Sequence, residues 1–75
     1  MVDQELDCRH LVCPMPVVRI SQAIKAMDVG DRLVVHARDP AFTSDIQAWV
    51  TATGHILIAL EEGESCRAVI EKGQG

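Results

Sequence analysis

The chain has 75 residues, of which 48% are hydrophobic and 24% charged, and its formal net charge is −4. This balance predicts one small folded domain over residues 1–75, while the scattered Lys and Arg residues and the scarcity of aromatic side chains argue against direct nucleic-acid binding. No apolar run approaches the ~20 residues that span a bilayer, and the acidic N-terminal segment is unlike a signal peptide, so we expect a cytoplasmic protein that does not bind membranes.

The first half of the chain predicts a strand, a helix and a second strand. Residues 5–9 alternate polar and apolar side chains, which is typical of a half-buried strand. A helix is expected to begin at Pro14 and to end at Gly30, a residue type that favours the C-terminal capping conformation. The apolar side chains of this helix recur at spacings of three and four residues: Val17, Ile20, Ile24 and Met27. The β-branched run at residues 33–37 predicts the second strand.

The second half predicts another helix followed by two strands. Asp39 is a favourable N-cap residue, and Pro40 suits the first helical position. Gly54 is expected to end this helix. Its apolar stripe comprises Phe42, Ile46, Trp49, Val50 and Thr53. Residues 55–60 and 65–71 have the composition of strands and are joined by a hairpin loop that contains a glycine.

The predicted order of elements is β-α-β-α-β-β, which indicates an α/β two-layer sandwich. Strand–helix–strand units favour parallel pairing, and the last two strands should pair antiparallel, so the four-stranded sheet is expected to be mixed. Because each helix has a single apolar stripe, we expect both helices on one face of the sheet. The other face should be partly hydrated, with His36, Arg38, Arg67 and Glu71 among its residues.

Cys13 stands in the segment Leu11–Pro16, where the first predicted strand gives way to the first helix. The positive end of a helix dipole stabilises a thiolate, so the pKa of the Cys13 thiol should be moderately lowered. Pro14 and Pro16 stiffen the helix start at little cost, because N–H groups of the first turn have no intrahelical partner. Pro16 offers no N–H, so we expect the Met15 N–H to donate to the thiolate. Such a thiol ionises near neutral pH and remains nucleophilic, which predicts a covalent role for Cys13.

The other two cysteines, Cys8 and Cys66, alternate with polar residues and are interpreted as small buried hydrophobic residues. The chain's histidines and cysteines do not occur at the short spacings of zinc ligands, so no metal site is predicted. In a chain expected to be cytoplasmic, the cysteines are predicted to be free thiols.

Two loops are expected to meet at one edge of the sheet. In parallel units both helix starts follow the C-terminal ends of strands, which should bring the Asp39 loop close to the Cys13 loop. This edge is the predicted partner-binding surface, where Val12 offers an apolar contact beside the thiol. The candidate site residues are Cys13 as the reacting residue, with Arg9, His10, Pro14, Met15, Pro16, Arg19 and Asp39 as partner-binding or supporting residues.

The segment Asp7-Cys8-Arg9-His10-Leu11-Val12-Cys13-Pro14-Met15-Pro16 resembles the Asp-x-Arg-Gly-Leu-x-Cys-Pro-x-Pro signature of the TusA/SirA-like sulfur carriers. Gly30-Asp31, Asp39-Pro40, Asp45-Ile46 and Gly54-His55 extend the resemblance over nearly the whole chain. The resemblance implies that Cys13 accepts sulfane sulfur as a persulfide and passes it to another protein's thiol, with no cofactor. It also implies a donor such as a cysteine desulfurase or rhodanese and an acceptor sulfurtransferase, in tRNA thiolation, cofactor synthesis, sulfur oxidation or selenium metabolism. We expect such a carrier to act as a monomer.

One residue departs from this signature, and two other functions stay open. His10 stands where the family has glycine, and it is interpreted either as a loop residue or as a proton partner of Cys13. One alternative function is a non-catalytic regulatory or docking module that uses the same edge, with Cys13 as a structural or redox-sensing residue. The other is a thiol switch in which Cys8 and Cys13 form a disulfide.

Overall fold

The computed structural model describes residues 3–12 and 15–74, and its elements follow the predicted order. The four strands are β1 (Asp3–Cys8), β2 (Arg32–Ala37), β3 (Ile56–Glu61) and β4 (Cys66–Glu71). The two helices are α1 (Met15–Lys25) and α2 (Phe42–Thr53). The predicted α/β class with a mixed four-stranded sheet is thus confirmed. Neither of these helices is long and apolar enough to cross a membrane.

The strands lie in the spatial order β1-β2-β4-β3. β1 and β2 pair in parallel, whereas β4 is antiparallel to both of its neighbours. The expected parallel pairing of β2 with β3 is therefore wrong, because β4 lies between them. The physical reason is that β2 and β3 run in the same direction, so a strand that returns antiparallel from β3 can form hydrogen bonds with both.

The hydrophobic core lies on one face of the sheet. Alternate residues of β2 and β4 are buried, and they pack with the buried stripes of α1 and α2 in one cluster. The inward side chains of the two central strands are Leu33, Val35 and Ala37 in β2 and Cys66, Ala68 and Ile70 in β4. Both helices thus cover one face, as expected.

The opposite face of the sheet carries polar pairs between neighbouring strands. His36 Nε2 lies 3.0 Å from a carboxylate oxygen of Glu5, and Arg67 Nη1 lies 3.0 Å from a carboxylate oxygen of Glu61. The predicted hydration of this face agrees with these exposed and half-buried side chains.

The ends of α1 differ from the prediction. The helix begins at Met15, one residue later than expected, and its first turn carries the buried Pro16. It ends at Lys25, so Gly30 is not its cap. Gly30 instead has a φ of 96° in the turn before β2 and donates its N–H to the Lys72 carbonyl at 2.9 Å. A glycine is favoured there because a side chain is strained at this φ.

The start of α2 differs from the prediction, whereas its end agrees with it. The N-cap residue is Ala41, without a side-chain capping bond, so Asp39 is not the N-cap and Pro40 is not the first helical residue. The helix begins at Phe42, and a carboxylate oxygen of Asp39 accepts the Ala41 N–H at 3.0 Å, while the Asp39 carbonyl accepts the Phe42 N–H at 2.9 Å. Asp39 therefore initiates the turn that leads into the helix. Gly54 ends the helix with a φ of 84° and donates its N–H to the Val50 carbonyl, which confirms its predicted capping role.

Candidate functional site

The predicted partner-binding edge of the sheet, called the site edge below, is set by the register of the two parallel strands. Cys8 at the end of β1 lies opposite Ala37 at the end of β2, so the segments that follow these residues leave the sheet at the same edge. This strand register is the geometric basis for the prediction that the Cys13 loop and the Asp39 loop lie close together. Cys13 and Pro14 lie outside the described residues, and the predictions for their side chains therefore remain predictions.

The backbone on both sides of Cys13 and Pro14 is held by two hydrogen bonds. The Leu11 N–H donates to the Cys8 carbonyl at 3.0 Å, and the Met15 N–H donates to the Val12 carbonyl at 2.9 Å. The expected hydrogen bond from the Met15 N–H to the Cys13 thiolate involves a side chain outside the described residues and stays a prediction. The bond to Val12 ties the helix start to the preceding loop.

Apolar side chains close to Cys13 in the sequence are exposed. Val12 is 72% exposed and Met15 is 42% exposed. Val18, one turn further along α1, is also exposed and lies on the same side of the helix as Met15. Pro16 is buried and therefore supports the helix start. The two residues predicted as apolar contacts for a partner are thus exposed.

Asp7 and Arg9 form a compact unit just before the loop. The Arg9 guanidinium donates from Nε and Nη2 to the two carboxylate oxygens of Asp7, each at 2.9 Å, and the Arg9 backbone N–H donates to the same carboxylate at 3.0 Å. The side-chain hydrogen bonds from Arg9, and then its backbone bond, hold the pKa of the Asp7 carboxyl well below its usual range. The Arg9 side chain is thus held against Asp7 by an ion pair at the surface.

His10 follows this unit on the exposed loop. Non-glycine residues of the described part of the chain all have negative φ, so His10 occupies the glycine position of the signature without the strain of a left-handed backbone. It lines an open depression together with Asp7, Arg9 and Arg38. Sequence reasoning assigned Arg38 to the hydrated sheet face and missed its place here. The sequence signal that could have placed Arg38 here is its position directly after β2, because β2 and β1 end at the same edge of the sheet.

Arg19 supplies a second positive charge near the site edge. It lies exposed on α1, one turn after Met15. Burial raises the pKa of the Cys8 thiol, and the Arg19 charge opposes that rise.

The two described cysteines are buried free thiols. The pKa of Cys66 is raised, chiefly by burial, and its sulfur lies 3.9 Å from Thr43 Oγ1. A raised pKa keeps a thiol protonated and poorly nucleophilic at neutral pH. The interpretation of Cys8 and Cys66 as buried hydrophobic residues is therefore confirmed. Within residues 3–12 and 15–74, the His, Cys, Asp and Glu side chains do not form a cluster suited to a metal ion.

A family model described as "Sulfurtransferase TusA" matches residues 4–72 of the chain. The chain belongs to the TusA family of sulfur carriers. It is 39% identical over 71 residues to the sulfur carrier protein TusA of Allochromatium vinosum, covering 93% of each chain. Two Bacillus subtilis (strain 168) proteins are also similar: YrkI is 39% identical over 72 residues, and YrkF is 41% identical over 69 residues.

The TusA-family relatives differ in length. The chain covers 96% of YrkI but only 37% of YrkF, while the aligned parts include 95% and 91% of this chain. The TusA likeness therefore concerns the same folded unit in each case, including the site edge between β1 and α1.

Proposed function

We propose that this TusA-family protein carries sulfane sulfur as a persulfide on Cys13 and relays it between partner proteins. The observation that carries the proposal is that both other cysteines are buried, with the pKa of each thiol raised by burial. Neither Cys8 nor Cys66 suits nucleophilic transfer. Cys13 is the cysteine of the family signature, and it lies two residues before Met15, where α1 begins.

The chemistry is an exchange at the sulfane sulfur. The Cys13 thiolate attacks the outer sulfur of a persulfide on the donor protein, forming a new S–S bond as the donor's own S–S bond breaks. The donor leaves as a thiolate, and Cys13 becomes the persulfide. In the second step an acceptor thiolate attacks the terminal sulfur of Cys13, which leaves as a thiolate. No external oxidant or reductant is consumed, because each step moves one sulfur atom between thiolates.

The residues around Cys13 have separate supporting roles in this proposal. The positive end of α1 favours the thiolate and the persulfide anion. Asp7 and Arg9 hold the preceding loop, and Val12 and Met15 give the partner an apolar contact surface. Donor and acceptor proteins of the relay, such as a cysteine desulfurase or rhodanese and a sulfurtransferase, would bind at this edge. Free thiols at the other two cysteines support a reducing compartment such as the cytoplasm.

The test is intact-mass analysis after incubation with a cysteine desulfurase and cysteine, or with a rhodanese and thiosulfate. The wild-type protein should gain the mass of one sulfur atom, and a thiol reductant should remove it. Cys13→Ser should gain none, whereas Cys66→Ser, the matched control, should gain sulfur as the wild type does. Equal sulfur gain by Cys13→Ser and the wild type would refute the proposal.

The thiol-switch alternative has weaker support. A disulfide with Cys13 would require the Cys8 thiol, which is fully buried and has a raised pKa. In the same mass experiment, loss of two hydrogen atoms under mild oxidant would favour the switch. Absence of a sulfur adduct with both donor systems would favour the docking module.

A further inference from the structure

A partly open cavity of about 260 Å³ lies away from the Cys13 edge. It lies where the C-terminal ends of α1 and α2 meet the start of β3 and the segment after β4, and Lys25, His55 and Lys72 line it. Cys13 precedes the opposite end of α1, which is about 16 Å long at ~1.5 Å per residue. The cavity is therefore separate from the proposed sulfur-transfer site.

The charge of this cavity is opposite to that of the protein. The chain has a net charge of −4 and only two lysines, and both of them, Lys25 and Lys72, line the cavity. No Asp or Glu is among the lining residues. Lys25 forms no ion pair within the described part of the chain. Lys72 donates from Nζ to the Met27 carbonyl, which leaves two of the three ammonium donors available.

His55 adds a further donor. The Gly73 backbone N–H donates to His55 Nδ1 at 3.0 Å. A neutral imidazole has one donor and one acceptor nitrogen, so this contact assigns the ring proton to Nε2. Burial, and then the nearby Lys72 charge, lowers the pKa of His55 below 6.5. The ring is therefore neutral at physiological pH and presents an N–H.

The rest of the wall is largely apolar. Trp49 was predicted to be a core residue, but it is only half-buried, with its ring 5.1 Å from that of His55. Trp49 and Ile24 both line the cavity, and the two remaining lining residues carry hydroxyl groups. An apolar wall beside several convergent hydrogen-bond donors is the usual composition of a small-molecule site.

We propose that this cavity binds a small organic anion. Its carboxylate or phosphate group contacts Lys25, Lys72 and the His55 N–H, and its apolar part lies against Trp49 and Ile24. The volume is below the usual range for drug-sized ligands, about 300–1,000 Å³, and it suits the anionic group and one substituted ring. Carboxylate and phosphate share the required charge, and the probes below distinguish them.

The test uses Trp49, the only tryptophan of the chain, as an intrinsic fluorescent reporter. Benzoate and phenyl phosphate are the anionic probes, and benzamide is the neutral probe of the same shape. At neutral pH at least one anionic probe should produce a saturable change in fluorescence at millimolar concentration, and benzamide should not. Saturation by only one of the two anions identifies the preferred charged group. Absence of saturation with both anions, or equal binding of benzamide, would overturn the proposal.

Charge-removing variants locate the site. Lys25→Gln and Lys72→Gln should each weaken binding by about tenfold, because a charge-assisted hydrogen bond is lost. Glutamine keeps a helix-compatible side chain at residue 25 and a donor for the Met27 carbonyl at residue 72. Arg67→Gln removes the same charge from the open sheet face and should leave the affinity unchanged. If Lys72→Gln fails to fold, Lys25→Gln decides the question, and equal weakening by Arg67→Gln would overturn the assignment.

Discussion

Individual residues of the signature segment divide into two groups. Asp7 and Arg9 bind each other through both carboxylate oxygens, and Pro16 is buried under the helix start. These three residues hold the segment in shape. Val12 and Met15 have large exposed surfaces, and contacts within the described part of the chain do not cover them. Exposed apolar patches are typical of a surface that a partner protein covers.

This division predicts a separation between docking and thiol reactivity. Val12→Asn should slow sulfur transfer from a donor protein about tenfold, because burial of a valine side chain contributes ~1.5–3 kcal/mol at an interface. The rate of Cys13 alkylation by iodoacetamide should stay unchanged, since the small reagent needs no docking surface. Both rates are measured by mass spectrometry under single-turnover conditions.

A valine elsewhere on the surface provides the matched control. Val29 is 58% exposed in the turn after α1, at the opposite end of that helix from Val12. Val29→Asn should therefore transfer sulfur at the wild-type rate. A parallel decrease in alkylation and transfer for Val12→Asn would indicate a changed thiol rather than a lost contact.

At the scale of elements, β4 and the residues after it connect the parts of the fold. β4 pairs with both β2 and β3. Lys72 then exchanges backbone hydrogen bonds with the turn before β2 through Gly30 and Asp31, each at 2.9 Å. Gly73 is buried against the turn between α2 and β3. The last element along the chain therefore lies centrally in the sheet.

The close approach at Gly73 predicts a strong effect of a single methyl group. A Cβ at this residue would lie 2.3 Å from the carbonyl oxygen of Gly54, a backbone atom that cannot move aside easily. Gly73→Ala should therefore lower the free energy of unfolding by about 1–3 kcal/mol, the usual cost of overpacking. Urea unfolding followed by circular dichroism measures this change.

Gly63 is the matched control for this substitution. It lies exposed in the β3–β4 loop, and the nearest atom to an added Cβ would be the Ser65 carbonyl oxygen at 3.8 Å, an ordinary contact. Gly63→Ala should change the free energy of unfolding by less than about 0.5 kcal/mol. Equal destabilisation by the two variants would show that the contact with Gly54 is not the cause.

At the scale of the whole molecule, the two ends of the sheet have different character. One end carries the Cys13 edge with its exposed apolar side chains, and the other carries the lysine-lined cavity and the segment after β4. His55 connects three parts of the chain at that second end. It directly precedes β3, its ring contacts that of Trp49 in α2, and its Nδ1 accepts the Gly73 N–H. The charged groups that line the cavity with it are Lys25 and Lys72, both cationic.

The environment of His55 predicts how stability depends on pH. Its pKa is lowered from 6.5 in the folded state, by burial and then by Lys72, so the unfolded chain binds the proton first as pH falls. The contribution of the neutral His55 ring to the free energy of unfolding is therefore fully present above pH 6.5. It is lost as the pH decreases from 6.5 towards the pKa of His55 in the folded state. Urea unfolding followed by circular dichroism on the two sides of this interval should show lower stability on the acidic side.

A non-titrating replacement tests the origin of that change. His55→Asn keeps an acceptor for the Gly73 N–H but cannot bind a proton near neutral pH, so the difference between the two pH values should shrink. His10→Asn, in the exposed loop at the other end of the molecule, should leave the difference in place. An undiminished pH dependence in His55→Asn would assign the effect to other groups.

Much of the fold could be predicted because its signals are local. Helical spacing of apolar residues, strand alternation and the cap at Gly54 each depend on a few neighbouring residues, and the structure confirms them. Gly30 was misread because a glycine after a helix suggests a cap, whereas here it is needed in a later turn that bonds to Lys72. Sequence spacing alone does not distinguish these two uses of the same residue.

The sequence by itself determined the element order, the two-layer class and the choice of Cys13 as the candidate reacting residue, because these depend on residue type and local spacing; the sulfur-carrying role of Cys13 is what the family resemblance implies. Only the tertiary structure decided that β4 lies between β2 and β3, that Arg38 lies beside Arg9 and His10, and that both lysines line one cavity with Trp49. These features join residues that are far apart in the chain. They are set by strand pairing and helix packing, which no local pattern of side chains records.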